Sequence, residues 1–162
     1  MLVQGSALPT LIATAGATSY ANFSRAVSKL ITLLDGTLER QQILESEVLA
    51  VSSAYGIDAL EVANGYYQAI SSGATNSANA VEFLSIAAKT AIGGVTDLGT
   101  AVGGIATIVN AFQLEANEAG DAANALFIAV RAGRTTIGEL STSIADAAPL
   151  SRDPKAKSLN SY

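Results

Sequence analysis

Two carboxylates three residues apart, Asp58 and Glu61, are the pair in this sequence best spaced for acid–base chemistry. A catalytic acid and base need two carboxyls whose surroundings push their pKa values apart. The same spacing is typical of a helix capping box, in which the first side chain accepts from first-turn amides and the second reaches back. We interpret both residues as helix caps, because a capping box accounts for them without any special chemistry.

The other polar residues at helix starts support the same interpretation. Thr136 and Glu139 have capping-box spacing, and Thr96 is expected to cap a third helix. The sequence has no histidine and no cysteine, which excludes zinc sites built from those residues and nucleophiles activated by a histidine base. We therefore predict no catalytic residue, no metal ligand and no cofactor, and a protein that is not an enzyme.

The charge of the chain argues against nucleic acid as a ligand. The 162 residues carry a formal net charge of -5, and only 14% of them are charged. Phosphate binding requires clustered lysine and arginine, so no specific nucleic-acid binding is expected. Arg131 and Arg134 form a basic turn that we interpret as solvated. The low charge leaves large uncharged surfaces, which we expect partners to cover.

A glycine-rich apolar helix followed by an alanine-rich helix is predicted within residues 95–126. Apolar residues recur there at the spacing of a helix with one buried face. Gly99, Gly103 and Gly104 each cost such a helix about 1 kcal/mol relative to alanine, so we expect them to permit close approach of another helix. The uncharged run of residues 98–114 is slightly shorter than a membrane span. It suggests an alternative function, that of a membrane-active or pore-forming helical protein.

A heptad pattern begins at Tyr20 and continues to Tyr55, with an interruption at Gly36. Either Gly36 ends one helix and Thr37 caps a second, giving a hairpin, or one helix runs through and forms a coiled coil between chains, with Gln41 setting the register. A helix packed on the protein's own core would have the same pattern. The positions expected to mediate helix packing or self-association are Tyr20, Phe23, Val27, Leu30, Leu44, Val48 and Val51.

The chain is expected to have four parts and an all-α fold. Residues 1–18, which Pro9 interrupts, are predicted to be an extended lead-in, and residues 19–55 form the heptad-patterned helix or hairpin. Residues 56–149 are predicted to form a helical core that ends at Pro149, and residues 150–162 a polar tail or linker. The predicted architecture is helical hairpins packed through small residues, preceded by the heptad-patterned segment.

Five short stretches occur in a characteristic order: residues 55–62 (YGIDALEV), 96–98 (TDL), 111–120 (AFQLEANEAG), 136–140 (TIGEL) and 147–149 (AAP). Together they resemble the core region of phage tail tape measure proteins over about residues 53–149. Gln113 stands where that family usually has glycine, and Asn124 stands where it usually has aspartate. These two departures leave the turn geometry at these positions open.

The resemblance implies a structural virion protein in the lumen of the tail tube or at the tail tip. Such a protein templates tube length and assembly in the host cytoplasm and leaves at infection to help genome delivery. The resemblance also implies a homo-oligomer, with three copies expected, surrounded by tail-tube proteins and baseplate or tail-tip hub proteins. Transient contact with a host membrane follows from the same role. Even a wholly helical chain of this length spans only about 240 Å, so we expect a segment of a longer protein.

Overall fold

The computed structural model describes residues 8–34, 36–133 and 135–151. In these residues the chain forms α-helices and one short 3₁₀ turn, without any strand. The all-α class predicted from the sequence is confirmed. The helices are α1 (Leu8–Leu33), α2 (Leu38–Tyr55), α3 (Ala59–Ser71), α4 (Ala80–Gly94), α5 (Leu98–Phe112), α6 (Ala119–Gly133) and α7 (Ile137–Ser151), with the 3₁₀ turn Ala116–Glu118 before α6.

Helix α5 lies at the centre of the fold and packs against α3, α4, α6 and α7. Its apolar residues recur every three or four positions, so one broad face turns inward. Leu98, Val102 and Ile105 are almost completely shielded from solvent. The buried apolar cluster around them receives residues from α1 through α7. The glycine-rich helix singled out in the sequence is therefore the helix on which the others pack.

Helices α3 and α5 run side by side in the same direction. The Leu98 amide at the start of α5 donates to Glu61 Oε1 in the first turn of α3, at 2.8 Å. Near the other end of α5, Asn110 Nδ2 donates to the carbonyl oxygen of Ser72, just after α3, at 3.0 Å. Contacts at both ends hold the two helices as a parallel pair, and α4 connects them along the chain.

The heptad-patterned segment folds into a hairpin of α1 and α2. The Gly36 amide donates to the carbonyl oxygen of Ile31 at 3.1 Å, which closes α1. Thr37 is the N-cap of α2, and its Oγ1 accepts from the Arg40 amide at 3.4 Å. The hairpin interpretation of the sequence is correct, and the alternative of one continuous helix is wrong, because the chain turns between Leu33 and Leu38.

The heptad residues are used inside the protein's own core. Gln41, expected to be a buried residue that sets a coiled-coil register, is half-buried and bonds to Glu45 of its own helix, at 3.0 Å. Tyr20, grouped with the packing positions in the sequence, is 67% exposed and contributes little to the core. Coiled-coil pairing between chains stays a prediction. The heptad positions that are buried within the fold are Phe23, Val27, Leu30, Leu44, Val48 and Val51.

Several helix breaks contain a residue in the left-handed conformation. Gly56 (φ 67°) and Gly73 (φ 72°) adopt it without a steric penalty, because glycine has no Cβ. Val95 (φ 51°) and Gln113 (φ 55°) adopt it at the two ends of α5, where a side chain disfavours it. Gln113 therefore keeps the backbone geometry that the glycine expected there would favour, and the departure at this position does not alter the turn.

Two predicted boundaries were wrong. The extended lead-in predicted for residues 1–18 is helical from Leu8 onward. Pro9 interrupted this part of the sequence, but it lies in the first turn of α1, where a helix does not use the missing amide. Helix α7 also continues past Pro149 to Ser151. Residues 1–7, and residues 152–162 of the predicted tail, lie outside the described residues.

Candidate interaction surface

The cap of α3 is half as predicted. Asp58 Oδ1 accepts from the amides of Leu60, at 2.9 Å, and of Glu61, at 3.3 Å. The predicted return of Glu61 to Asp58 is wrong, because the Glu61 carboxylate accepts from the Leu98 amide of α5 instead. The start of α5 lies beside α3 and offers an amide without a partner in its own helix. Glu61 therefore links two helices rather than closing one.

The cap of α5 is Asp97, one residue later than predicted. Asp97 Oδ1 accepts from the Thr100 amide at 2.8 Å, and Oδ2 accepts from Thr100 Oγ1 at 2.7 Å. These bonds from Thr100 favour the charged form and lower the pKa of Asp97. The predicted cap, Thr96, instead donates its amide to the carbonyl oxygen of Ala91 at 3.0 Å and so closes α4. A three-residue connection between α4 and α5 gives each residue a separate role.

The start of α7 has the reciprocal bonds of a capping box. The Thr136 amide donates to Glu139 Oε2 at 3.1 Å, and the Glu139 amide donates to Thr136 Oγ1 at 3.2 Å. The bond from the Thr136 amide, with those from the hydroxyls of Thr135 and Thr136, lowers the pKa of Glu139. A further box, which the sequence analysis did not assign, joins Glu115 and Glu118 at the 3₁₀ turn. Its signal was present in the sequence as two carboxylates three residues apart.

Replacing Glu61 with alanine is expected to lower the free energy of unfolding by about 1–2 kcal/mol, because a first-turn amide of α5 loses its acceptor. Glu61→Gln keeps an acceptor oxygen and is expected to lose less. Urea unfolding followed by circular dichroism measures both effects. Glu82→Ala is the matched control, since Glu82 is exposed in the first turn of α4. Equal stability of the Glu61 and Glu82 variants would contradict the link between α3 and α5.

The three glycines of α5 do not share one role. A Cβ at Gly104 would lie 2.8 Å from Ser141 Oγ of α7 and 3.0 Å from both Ile137 Cγ2 and Leu126 Cδ2. The predicted close approach of a helix therefore occurs at Gly104. A Cβ at Gly103 would meet only Gln68 Nε2, at 3.2 Å. Gly99 and Gly103 face an open groove between α3, α5 and α7, with a volume of about 570 Å³.

Replacing Gly104 with alanine is expected to destabilise the protein by about 1–2 kcal/mol, because overpacking against α6 and α7 outweighs the gain in helix propensity. Gly103→Ala is the matched control in the adjacent position. There the exposed Gln68 side chain has room to move, so the change is expected to be neutral or to stabilise by up to about 1 kcal/mol. Thermal unfolding of both variants compares them. A Gly103→Ala variant as unstable as Gly104→Ala would refute the distinction.

Chemistry at this surface is limited in kind. Within the described ranges no group of three or more His, Asp or Glu side chains is placed to hold a metal ion. No single described helix is long and apolar enough to cross a membrane. The pair Ala80–Gly94 and Leu98–Phe112 meets that test jointly but bends by 115° at the break. Arg134 of the predicted basic turn lies outside the described residues, whereas Arg131 is exposed.

The polar groups of this surface act mainly as helix caps and as links between helices, which is typical of a structural packing module. Comparison with known proteins agrees. The chain matches the model for the family described as phage-related minor tail protein over residues 45–155. It is 30% identical over 132 residues to the probable tape measure protein of Clostridium phage phiCD119, a match that covers 80% of this chain and 14% of that relative. No solved structure matches the chain.

The chain belongs to the family of phage-related minor tail proteins, and the resemblance to tape measure proteins found in the sequence is confirmed. It is accordingly a structural component of a phage tail and so of the virion. Because the match covers only 14% of the relative's length, the activity of a whole tape measure protein enters below as a proposal.

Proposed function

We propose that this chain is a segment of a tape measure that lies in the lumen of the tail tube or at the tail tip. There it templates tube length during assembly and leaves at infection to help genome delivery. The observation that carries this proposal is the similarity over 80% of the chain to a probable tape measure protein of which the match covers only 14%. A helical segment of this kind is one part of a much longer molecule.

The proposed partners are further copies of the same chain, three in the expected assembly, with tail-tube proteins and baseplate or tail-tip hub proteins around them. Low charge supports this arrangement, because identical chains in a narrow channel repel one another less when they carry few charges. Packing through small residues also suits contact between closely spaced helices. The proposed role needs no catalytic residue, no cofactor and no specific nucleic-acid binding, and allows transient contact with a host membrane.

The first test is the mass and location of the natural gene product. An antibody against residues 56–149 is expected to detect a band far larger than 16.4 kDa that sediments with phage particles and their isolated tails. An antibody against a tail-tube protein provides the positive control for sedimentation. A band near 16.4 kDa that stays free of particles would refute the proposal.

The second test concerns the length-setting role. Duplicating residues 59–133 in frame in the phage gene adds 75 residues, which span about 110 Å as an extended helix. Tails measured by electron microscopy are expected to lengthen by about that amount. A phage with a single, synonymously recoded copy of the same region is the control. Unchanged tails that nevertheless contain the longer protein would show that this segment does not set length.

A further inference from the structure

The break between α4 and α5 is held in a strained conformation without any local gain. Val95 has a branched side chain in the left-handed region (φ 51°), and that side chain is 93% exposed. It therefore obtains no packing in return for the strain. Breaks elsewhere in the chain have glycine at such a position, as at Gly56 and Gly73. The bend at Val95 is imposed by the contacts of α4 and α5 with the rest of the fold, not by the residue itself.

A single heptad register continues through this bend. One core position of the heptad falls on Leu84, Ala91, Leu98, Ile105 and Phe112, seven residues apart. The position four residues before each of these is alanine, alanine, glycine, alanine and isoleucine in turn. Two helices that meet at 115° do not need a common register, because each turns its own apolar face to the core. A common register is useful in a straight helix.

The sequence permits that straight helix. No proline occurs between Pro9 and Pro149, so no residue of 80–112 lacks the amide that a continuous helix uses. As one helix these residues would span about 50 Å. The compact fold already buries the heptad positions Leu84, Ala91, Leu98 and Ile105, but it leaves the last one, Phe112, 67% exposed. The heptad seam thus reaches beyond what the compact fold covers.

We propose that α4 and α5 open at Val95 into one helix of residues 80–112, which pairs along this seam with the same helix of a second copy. A second copy fits because the helix has only three charged residues, Glu82, Lys89 and Asp97. Of these only Asp97 is next to a seam position, so identical helices meet almost without like-charge repulsion. This inference rests on the proposed tape measure role, which places several copies side by side.

Interchain disulfide formation tests the opening in the full 162-residue chain, which has no native cysteine. Ala101 and Ala106 are both buried in α5, at 0% and 5% exposure, but only Ala101 is a seam position. On mild oxidation Ala101→Cys is expected to give interchain dimer in about tenfold higher yield than Ala106→Cys, because facing seam positions meet and Ala106 points away. Global unfolding would expose both cysteines and give equal yields.

Glycine at the strained positions provides the second arm. In the Ala101→Cys background, Val95→Gly relieves the strain of the bend and is expected to lower the dimer yield by about fivefold. Gln113→Gly is the matched control: it relieves the same kind of strain at the other end of α5 and is expected to leave the yield unchanged. Both are expected to raise the melting temperature, which confirms that each variant folds.

Equal dimer yields from Ala101→Cys and Ala106→Cys, or no dimer from either in folded protein, would overturn the inference. So would equal effects of Val95→Gly and Gln113→Gly on the yield. These outcomes are separate from the tests of the proposed function. A chain that travels with tails but forms no seam disulfide loses only this inference, and a chain that forms the disulfide but is absent from tails loses only the tape measure role.

Discussion

Replacing Ile105 with alanine is expected to lower the free energy of unfolding by about 3–4 kcal/mol, the largest loss from a single apolar truncation in α5. Ile105 is fully buried on the helix that contacts α3, α4, α6 and α7. The loss combines the transfer of the removed methyl and methylene groups with the cavity that remains. Since domains of this size are stable by only about 5–15 kcal/mol, the variant would lose a large share of its stability.

The control for this prediction is Ile128→Ala on α6. Ile128 is 69% exposed, so removing the same atoms is expected to change stability by less than about 0.5 kcal/mol. Urea unfolding at two wavelengths gives both free energies and tests whether the transition stays two-state. A loss at Ile105 no larger than that at Ile128 would mean that α5 is not the centre of the fold.

Replacing Tyr66 with alanine is expected to cost about 3–5 kcal/mol, whereas Tyr66→Phe is expected to cost only about 1 kcal/mol. The Tyr66 ring is fully buried on α3, and its hydroxyl donates to Glu47 Oε2 of α2 at 3.1 Å. The ring therefore fills the core, while the hydroxyl adds one hydrogen bond between two helices. Chemical unfolding of the two variants separates these contributions. Equal losses in both would assign the whole effect to the hydroxyl and refute the packing role.

Tyr66 also predicts a dependence of stability on alkaline pH. Burial raises the pKa of the Tyr66 phenol above its ordinary 10.0, and the neighbouring Glu47 charge and hydrogen bond raise it further. Above pH 10 the unfolded chain releases this proton while the folded protein retains it, so stability is expected to fall as the pH rises. Tyr66→Phe is expected to remove that part of the decline. Tyrosine absorbance at high pH provides a second measurement, in which one phenol ionises last.

Local features of the fold could be predicted from the sequence because their causes are local. The cap at Asp58, the reciprocal pair Thr136 and Glu139, and the turn at Gly36 each depend on residues a few positions apart. Helix α3 was expected to end at the run from Ser71 to Gly73, and it ends at Ser71. These contacts form in any chain with the same short stretch, so reading the stretch was sufficient.

Features that depend on the placement of distant elements could not be predicted in the same way. Glu61 has the spacing of a local cap, but its carboxylate reaches the Leu98 amide, 37 residues away. Among the glycines of α5, all three had equal standing in the sequence, and only the position of α7 selects Gly104 for close contact. The shift of the α5 cap from Thr96 to Asp97 has a similar origin, because Thr96 is engaged by the end of α4.

The parallel arrangement of α3 and α5 determines how the fold would respond to tension along the chain. The N-terminus of α3 and the C-terminus of α5 lie at opposite ends of the pair, held by Glu61–Leu98 at one end and Ser72–Asn110 at the other. Pulling these ends apart slides the helices past each other and loads their contacts together. The hairpin of α1 and α2 has both free ends on one side, so its contacts break one after another. A chain drawn lengthwise would therefore give way first at α1 and α2, and the α3–α5 pair would resist the greatest force.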